Sequence, residues 1–137
     1  MGTARDVADA FYQAFGDGDL KAAQDLFADD CMSITPAGAF DKAGHEQMSQ
    51  GFKAAFPDAR MTITRAVEGD GEIYLSGSFG GTHTGDLPTP NGPIPASGKT
   101  LDLPFADYFR VEGGRIVAHE TWWDQLTMLA QIGAMPS

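Results

Sequence analysis

The chain has 137 residues, 42% hydrophobic and 20% charged, ordinary proportions for one soluble globular domain with a real core. Nineteen acidic residues against nine basic ones give a formal net charge of −10, which argues against nucleic acid or an anionic membrane as partner, because both need clustered Lys and Arg. Cys31 is alone, so no intrachain disulfide is expected, and His45, His83 and His119 are too widely spread for a metal motif. No charged-then-apolar leader opens the chain and no apolar run approaches the ~20 residues of a membrane span, so a cytoplasmic protein is the expectation.

Thr3 is a candidate N-cap for a helix over about 4–15, with Val7, Ala10, Phe11, Ala14 and Phe15 at helical spacing. In this segment Tyr12 is either a core residue or a hydroxyl offered to a pocket. Asp19 caps a shorter helix with Leu20, Ala23, Leu26 and Phe27 inward, and a strand over 31–35 ends at Pro36. Gly44 and His45 open a third helix with Met48, Phe52 and Phe56 on one face, closed by Pro57. There His45 reads as structural or exposed, since the positive end of the helix dipole disfavours a charged imidazole.

Period-two patterning begins after Arg60 and gives a hairpin, 61–67 with 73–84; Gly77, Gly80 and Gly81 in its second arm suggest bulges or a close approach by another segment. Residues 85–98 hold four prolines in fourteen residues and read as a binding loop or lid. A second hairpin spans 99–124, and Asp124 caps a last helix, 125–132, with Leu126, Leu129 and Ile132 as its stripe. The expected fold is α+β: a cone-shaped, curved, mixed or mostly antiparallel sheet wrapped around the N-terminal helices, leaving an internal apolar pocket.

The second hairpin carries most of the chemistry. Asp107 interrupts a row of Leu101, Leu103, Phe105, Phe109 and Val111, and burying it there is costly unless it is protonated or paired. A two-residue loop at Gly113-Gly114 sets Asp107 opposite Glu120, whereas a three-residue loop beginning at Glu112 sets it opposite His119. Opposite charges favour the second register. One face then holds Phe105, Asp107, Phe109, Val117, His119, Thr121 and Trp123, and the other holds Tyr108, Arg110, Glu120 and Trp122. A purely structural Asp–His pair is the plain alternative.

At Gly80-Gly81-Thr82-His83-Thr84-Gly85, Ser97-Gly98-Lys99, Asp107-Tyr108-Phe109-Arg110, Gly114-Arg115-Ile116-Val117 and 124–133, the chain resembles the SnoaL-like polyketide cyclases. These belong to the nuclear transport factor 2-like superfamily, with ketosteroid isomerase and limonene epoxide hydrolase. The resemblance implies a cone-shaped, often dimeric fold, an apolar pocket, neither metal nor organic cofactor, and an intramolecular aldol closure run by a pocket carboxylate. The family's usual acid on the last strand falls at Thr121, whose hydroxyl cannot be a general base near neutral pH. Asp107 falls where ketosteroid isomerase keeps a protonated Asp as hydrogen-bond donor, a behaviour already well established.

Three functions compete. In an acid–base enzyme acting on a small apolar, polycyclic carbonyl compound, Asp107 is the pocket carboxyl and His119 its partner and proton shuttle. Phe105, Phe109 and Trp123 are then walls, Tyr12 and Phe56 contribute to the pocket, and His83 with the Pro-rich loop guards its mouth. A non-catalytic module that keeps the pocket for a small apolar ligand is favoured by Thr121. An epoxide hydrolase is disfavoured because Arg110 has the wrong strand parity to join Asp107. Tyr108, Arg110 and Trp122 on the opposite face suggest a homodimer.

Overall fold

A computed structural model describes residues 3–135. Helix α1 (Ala4–Gly16) begins at a capping box: Thr3 Oγ1 accepts from the Asp6 N–H at 3.0 Å, and the Asp6 carboxylate accepts from the Thr3 N–H. Asp19 caps α2 (Leu20–Asp25), and β1 (Ser33–Thr35) and β2 (Gly38–Phe40) form a short hairpin. Helix α3 (Lys42–Ala55) starts two residues before the expected Gly44, because the Asp41 carboxylate accepts from the Gly44 N–H at 2.8 Å. Strands β3 (Arg60–Glu68), β4 (Glu72–Thr82), β5 (Thr100–Glu112) and β6 (Arg115–Trp123) follow. Asp124 then caps α4 (Gln125–Gln131), which buries Met128; Ile132 at its C-cap is buried as expected, whereas Leu126 of the expected stripe is exposed.

The six strands form one curved sheet in the order β2-β1-β6-β5-β4-β3, antiparallel except where β1 runs parallel to β6. It does not close. Its inner face packs on α1 through Val7, Phe11, Tyr12 and Phe15, and the fold is the expected α+β cone. The glycines of β4 permit the curvature. A Cβ at Gly77 would fall 1.9 Å from the Thr62 carbonyl oxygen, beside a register shift in β3 between Ile63 and Arg65. Beyond the strand end, a Cβ at Gly85 would lie 2.0 Å from the Ala54 carbonyl oxygen, where the chain leaves the sheet against the end of α3. The Pro-rich segment is pinned by paired hydrogen bonds between Leu87 and Ile94, with Pro88 against Gly51 of α3.

The β5–β6 register differs from the expected one. The loop is the two-residue Gly113-Gly114, both at positive φ (59° and 77°), and Glu112 faces Arg115. A bulge follows at once: Val111 pairs with Ile116 and Arg110 with Ala118, leaving Val117 as the extra residue. Asp107 therefore faces Thr121 rather than His119, and His119 faces Phe109. Because the bulge shifts parity by one, His119, Thr121 and Trp123 still share the face of Asp107, while Ile116 replaces Val117 in the core.

The close approach at Gly77 makes a measurable claim. Gly77→Ala is expected to destabilise the protein by about 1–3 kcal/mol in urea denaturation, because the new methyl meets immovable backbone. On the same strand Gly80→Ala, whose Cβ has only an ordinary 3.8 Å contact, is expected to change stability by less than about 0.5 kcal/mol.

Candidate active site

A cavity of about 70 Å³ opens between the inner face of the sheet and helices α1 and α3. Phe11 and Phe15 of α1, Met48 and Phe52 of α3, and Phe79, Leu103, Phe105 and Trp123 of the sheet make its apolar walls. Into this lining come three titratable side chains: Asp107 from β5, His119 from β6 and His45 from the first turn of α3, only 2%, 2% and 3% exposed. Thr121 and Ser49 complete the polar part.

Each of the three is held from behind by a neutral polar side chain. The Tyr12 hydroxyl donates to Asp107 Oδ2, and Asp107 Oδ1 meets the distance and angle criteria for a hydrogen bond with no atom of the described residues. His119 Nδ1 is 2.7 Å from Ser33 Oγ, because the parallel pairing of β1 with β6 puts Ser33 beside His119; His119 Nε2 has no partner among the described residues. His45 Nδ1 meets Gln24 Oε1 at 3.2 Å, while the Gln24 amide nitrogen donates to the Lys42 carbonyl at 3.1 Å. Phe109 stacks on the His119 ring at 4.8 Å and 13°, and His45 meets His119 edge-on at 5.1 Å.

Burial dominates the proton equilibria and acts in opposite directions on the two residue types. It raises the Asp107 carboxyl from 3.8 to about 6, against the charge-stabilising hydroxyls of Thr121 and Tyr12. The same burial lowers His45 from 6.5 to about 4 and drives His119 well below its usual value, with His45 adding to the effect on His119. Burial, followed by the nearby Asp107 carboxylate, raises the Tyr12 hydroxyl, so it stays a donor. At neutral pH both imidazoles are uncharged.

The structure unites some of the residues singled out from sequence and separates others. Asp107, His119, Thr121, Phe105 and Trp123 border one cavity. Asp107 and His119 are diagonal neighbours across β5 and β6, each bonded to a different residue, so the expected Asp–His pair is replaced by Asp107–Tyr12 and His119–Ser33. Phe109 lies behind His119 rather than on the cavity wall. Phe56 is fully buried against Phe79 and His83 and does not line it. His83 is also off the lining: its Nδ1 accepts from the Ser97 N–H, and its backbone bonds Lys99 and Gly98, so it anchors the foot of the Pro-rich segment. Tyr12 reaches the site only through its bond to Asp107. His45 was readable as structural or exposed, yet it sits on the same helical stripe as Met48 and Phe52, the signal that places it here. Ser33 and Gln24 carry no such signal. Among the described residues no group of three His, Cys, Asp or Glu is arranged to hold a metal ion, and no helix is long and apolar enough to cross a membrane.

The Asp107 shift has a definite sign in stability. Unfolded, the carboxyl titrates near 3.8, and folded near 6, so folding takes up a proton between those values and this group's contribution to stability falls as pH rises through them. His45 works the other way: its folded value of about 4 lies below 6.5, so its contribution is lost as pH falls through that range. Asp107→Asn isolates the first effect. Relative to the parent protein its stability should be near parity at about pH 4 and gain about 3 kcal/mol by about pH 7, read from urea midpoints.

Comparison with known proteins was made against this geometry. Among solved structures, IdmH from Streptomyces antibioticus, provisionally described as a polyketide cyclase, superposes with a TM-score of 0.79 at 29% identity, covering 94% of this chain and 97% of that one. AclR from Streptomyces galilaeus, provisionally described as a hydroxylase, shares the fold with a TM-score of 0.83 at 16% identity over 97% of this chain and 86% of its own. A Catenulispora acidiphila protein with a ketosteroid isomerase-like fold, in complex with trimethylamine, gives 0.76 at 20% identity over 98% and 96%. No curated protein matches by sequence. The model of the SnoaL-like polyketide cyclases matches residues 5–132, and the chain belongs to that family.

Proposed function

We propose that the protein is a cofactor-independent acid–base enzyme, of aldol cyclase or isomerase type, acting on a small apolar, polycyclic carbonyl compound. The observation that carries this reading is a pair of orphaned atoms. Asp107 Oδ1 and His119 Nε2 are buried without a hydrogen-bond partner among the described residues, and both residues border one apolar cavity. Leaving a buried polar atom unsatisfied costs about 1–3 kcal/mol, and such atoms in native proteins call for a reason. A substrate supplies one.

In the proposed step the Asp107 carboxylate takes a proton from the carbon next to the substrate carbonyl, and the C–H electron pair moves into an enolate. With Ser33 donating to His119 Nδ1, the neutral imidazole carries its proton on Nε2 and donates it in a hydrogen bond to the enolate oxygen. The expected shuttle role of His119 gives way to that of a neutral donor, because burial keeps the ring uncharged. In a cyclase the enolate carbon attacks a second carbonyl of the same molecule, and the new alkoxide takes the proton back from Asp107. In an isomerase the proton returns to another carbon. A carboxyl near 6 is matched to both halves of this exchange near neutral pH. The cavity is small beside the several hundred Å³ of common ligand sites, so a polycyclic ligand requires the flexible Met48 and Met61 side chains in its lining to swing aside.

A second reading, a binding module without turnover, is favoured by Thr121, which puts a hydroxyl opposite Asp107 where the family's usual acid was expected. A thermal-shift screen of polycyclic phenols, anthraquinone esters, steroids and terpenes, followed by product analysis, separates the two. The enzyme reading expects turnover that rises with pH through about 6 and is abolished in a folded Asp107→Asn variant. Tight binding with no product after long incubation, indifferent to Asp107→Asn, supports the module instead.

We also propose a homodimer through the outer sheet face. Tyr74 (60% exposed) packs on Tyr108 with ring centroids 4.6 Å apart and planes tilted by 40°, and Trp122 (44% exposed) shares that face. Aromatic side chains held rigid in this way suit an interface core. Light scattering is expected to give twice the chain mass, and the monomer mass for Trp122→Asp; a monomeric parent protein rejects the proposal.

A further inference from the structure

The proton exchange between Asp107 and a carbonyl substrate leaves His45 unused, although it is as deeply buried as the other two groups and borders the same cavity. Its hydrogen bonding fixes more than its position. Gln24, itself only 4% exposed, uses its amide nitrogen to donate to the Lys42 carbonyl at 3.1 Å, which turns Oε1 toward the His45 ring. An amide oxygen only accepts, so His45 Nδ1 at 3.2 Å must carry the proton. In a neutral imidazole the other nitrogen is then a bare lone pair. Nε2 has no partner among the described residues, and His45 faces the cavity.

We propose that His45 Nε2 is a fixed hydrogen-bond acceptor in the cavity, so that the ligand selected there carries a hydroxyl donor, a phenol or enol, on its apolar body. This deepens the reading of the cavity as the substrate site and rests on it, but requires no particular reaction. Burial supports the assignment by keeping the ring neutral down to about pH 4, and the edge of the neutral His119 at 5.1 Å adds no competing charge. The three groups then read different parts of one ligand. Asp107 meets an acidic C–H, His119 a carbonyl oxygen and His45 a hydroxyl hydrogen.

The test needs binding and spectroscopy, not turnover. In the free protein, ¹⁵N shifts of the imidazoles should show His45 protonated on Nδ1 and bare on Nε2. Phenol and toluene, nearly isosteric and differing in OH against CH₃, are titrated while the Trp123 indole N–H is followed. In the parent protein phenol is favoured relative to its partition from water. His45→Phe should lower the ratio Kd(toluene)/Kd(phenol) roughly tenfold, the worth of one buried hydrogen bond. Gln24→Met, which frees the ring to choose either tautomer, should lower it by less and give mixed ¹⁵N shifts, and it carries the test if His45→Phe does not fold. A parent His45 protonated on Nε2, an unchanged ratio in His45→Phe, or no binding of either probe overturns the proposal. So does a ratio lost in Asp107→Asn and kept in His45→Phe, which assigns the hydroxyl to Asp107. Failure of the enzyme reading alone, turnover indifferent to Asp107→Asn, leaves these results standing.

Discussion

Asp107 takes a carboxyl into a strand face otherwise made of apolar residues such as Phe105, Phe109 and Val111, and the Tyr12 hydroxyl donates a hydrogen bond to it from the far side of the core. That bond fixes how α1 lies across β5. Tyr12 must project from the same helix face as Phe11 and Phe15, and the helix must start where its Thr3–Asp6 capping box sets it. The sheet must then curve far enough to wrap the helix. Gly77 permits this by letting β4 approach the β3 backbone more closely than any Cβ allows, beside the register shift in β3. A carboxyl that resists burial thus constrains the first helix, the sheet's curvature and the cavity between them.

All three inward groups obey one rule: none is paired with an opposite charge. Tyr12, Ser33 and Gln24 are neutral, and each occupies one side of its partner and leaves another atom free. An ion pair would have held Asp107 and His119 charged and spent the free atoms on each other. Diagonal placement across β5 and β6 avoids this. Burial then moves the acid up and both bases down, so near pH 6 the carboxyl exchanges its proton readily while both imidazoles stay neutral, and the cavity keeps three directional hydrogen-bonding groups. Such a lining, apolar walls with a few placed polar groups, takes up an apolar ligand and orients it.

Local chemistry made much of this legible in sequence. Thr3, Asp19 and Asp124 announce helix starts because a short side-chain oxygen at those points satisfies free backbone N–H groups, and Gly77 announces a close approach because nothing larger fits there, with Gly81 tightly packed as well. Asp107 stood out because it violates its strand's pattern. Register was not legible: a two-residue loop plus a bulge at Val117 yields nearly the same face as a three-residue loop, and only backbone pairing separates them. Nor were the partners behind the site. Ser33 reaches His119 across 86 residues of chain through a parallel strand pairing that no local pattern encodes. His45 was hidden by a sound argument about helix dipoles, which disfavours a charged imidazole in a first turn but has no force against a neutral one.

Thr121 decides what kind of chemistry this arrangement suits. A second carboxylate opposite Asp107 would repel it and push one of the two pKa values higher still. A threonine hydroxyl there does the reverse, favouring the charged form and helping hold Asp107 near 6. With a single carboxyl and two neutral imidazoles, no other group in the cavity can receive a proton near neutral pH. On the proposed reading, the group that removes a proton must therefore be the one that returns it, and from the same side of the substrate. On the same reading, a threonine opposite Asp107 in place of a second carboxylate makes the site a one-base device, in which the position of Asp107 fixes the face on which bonds to hydrogen break and form.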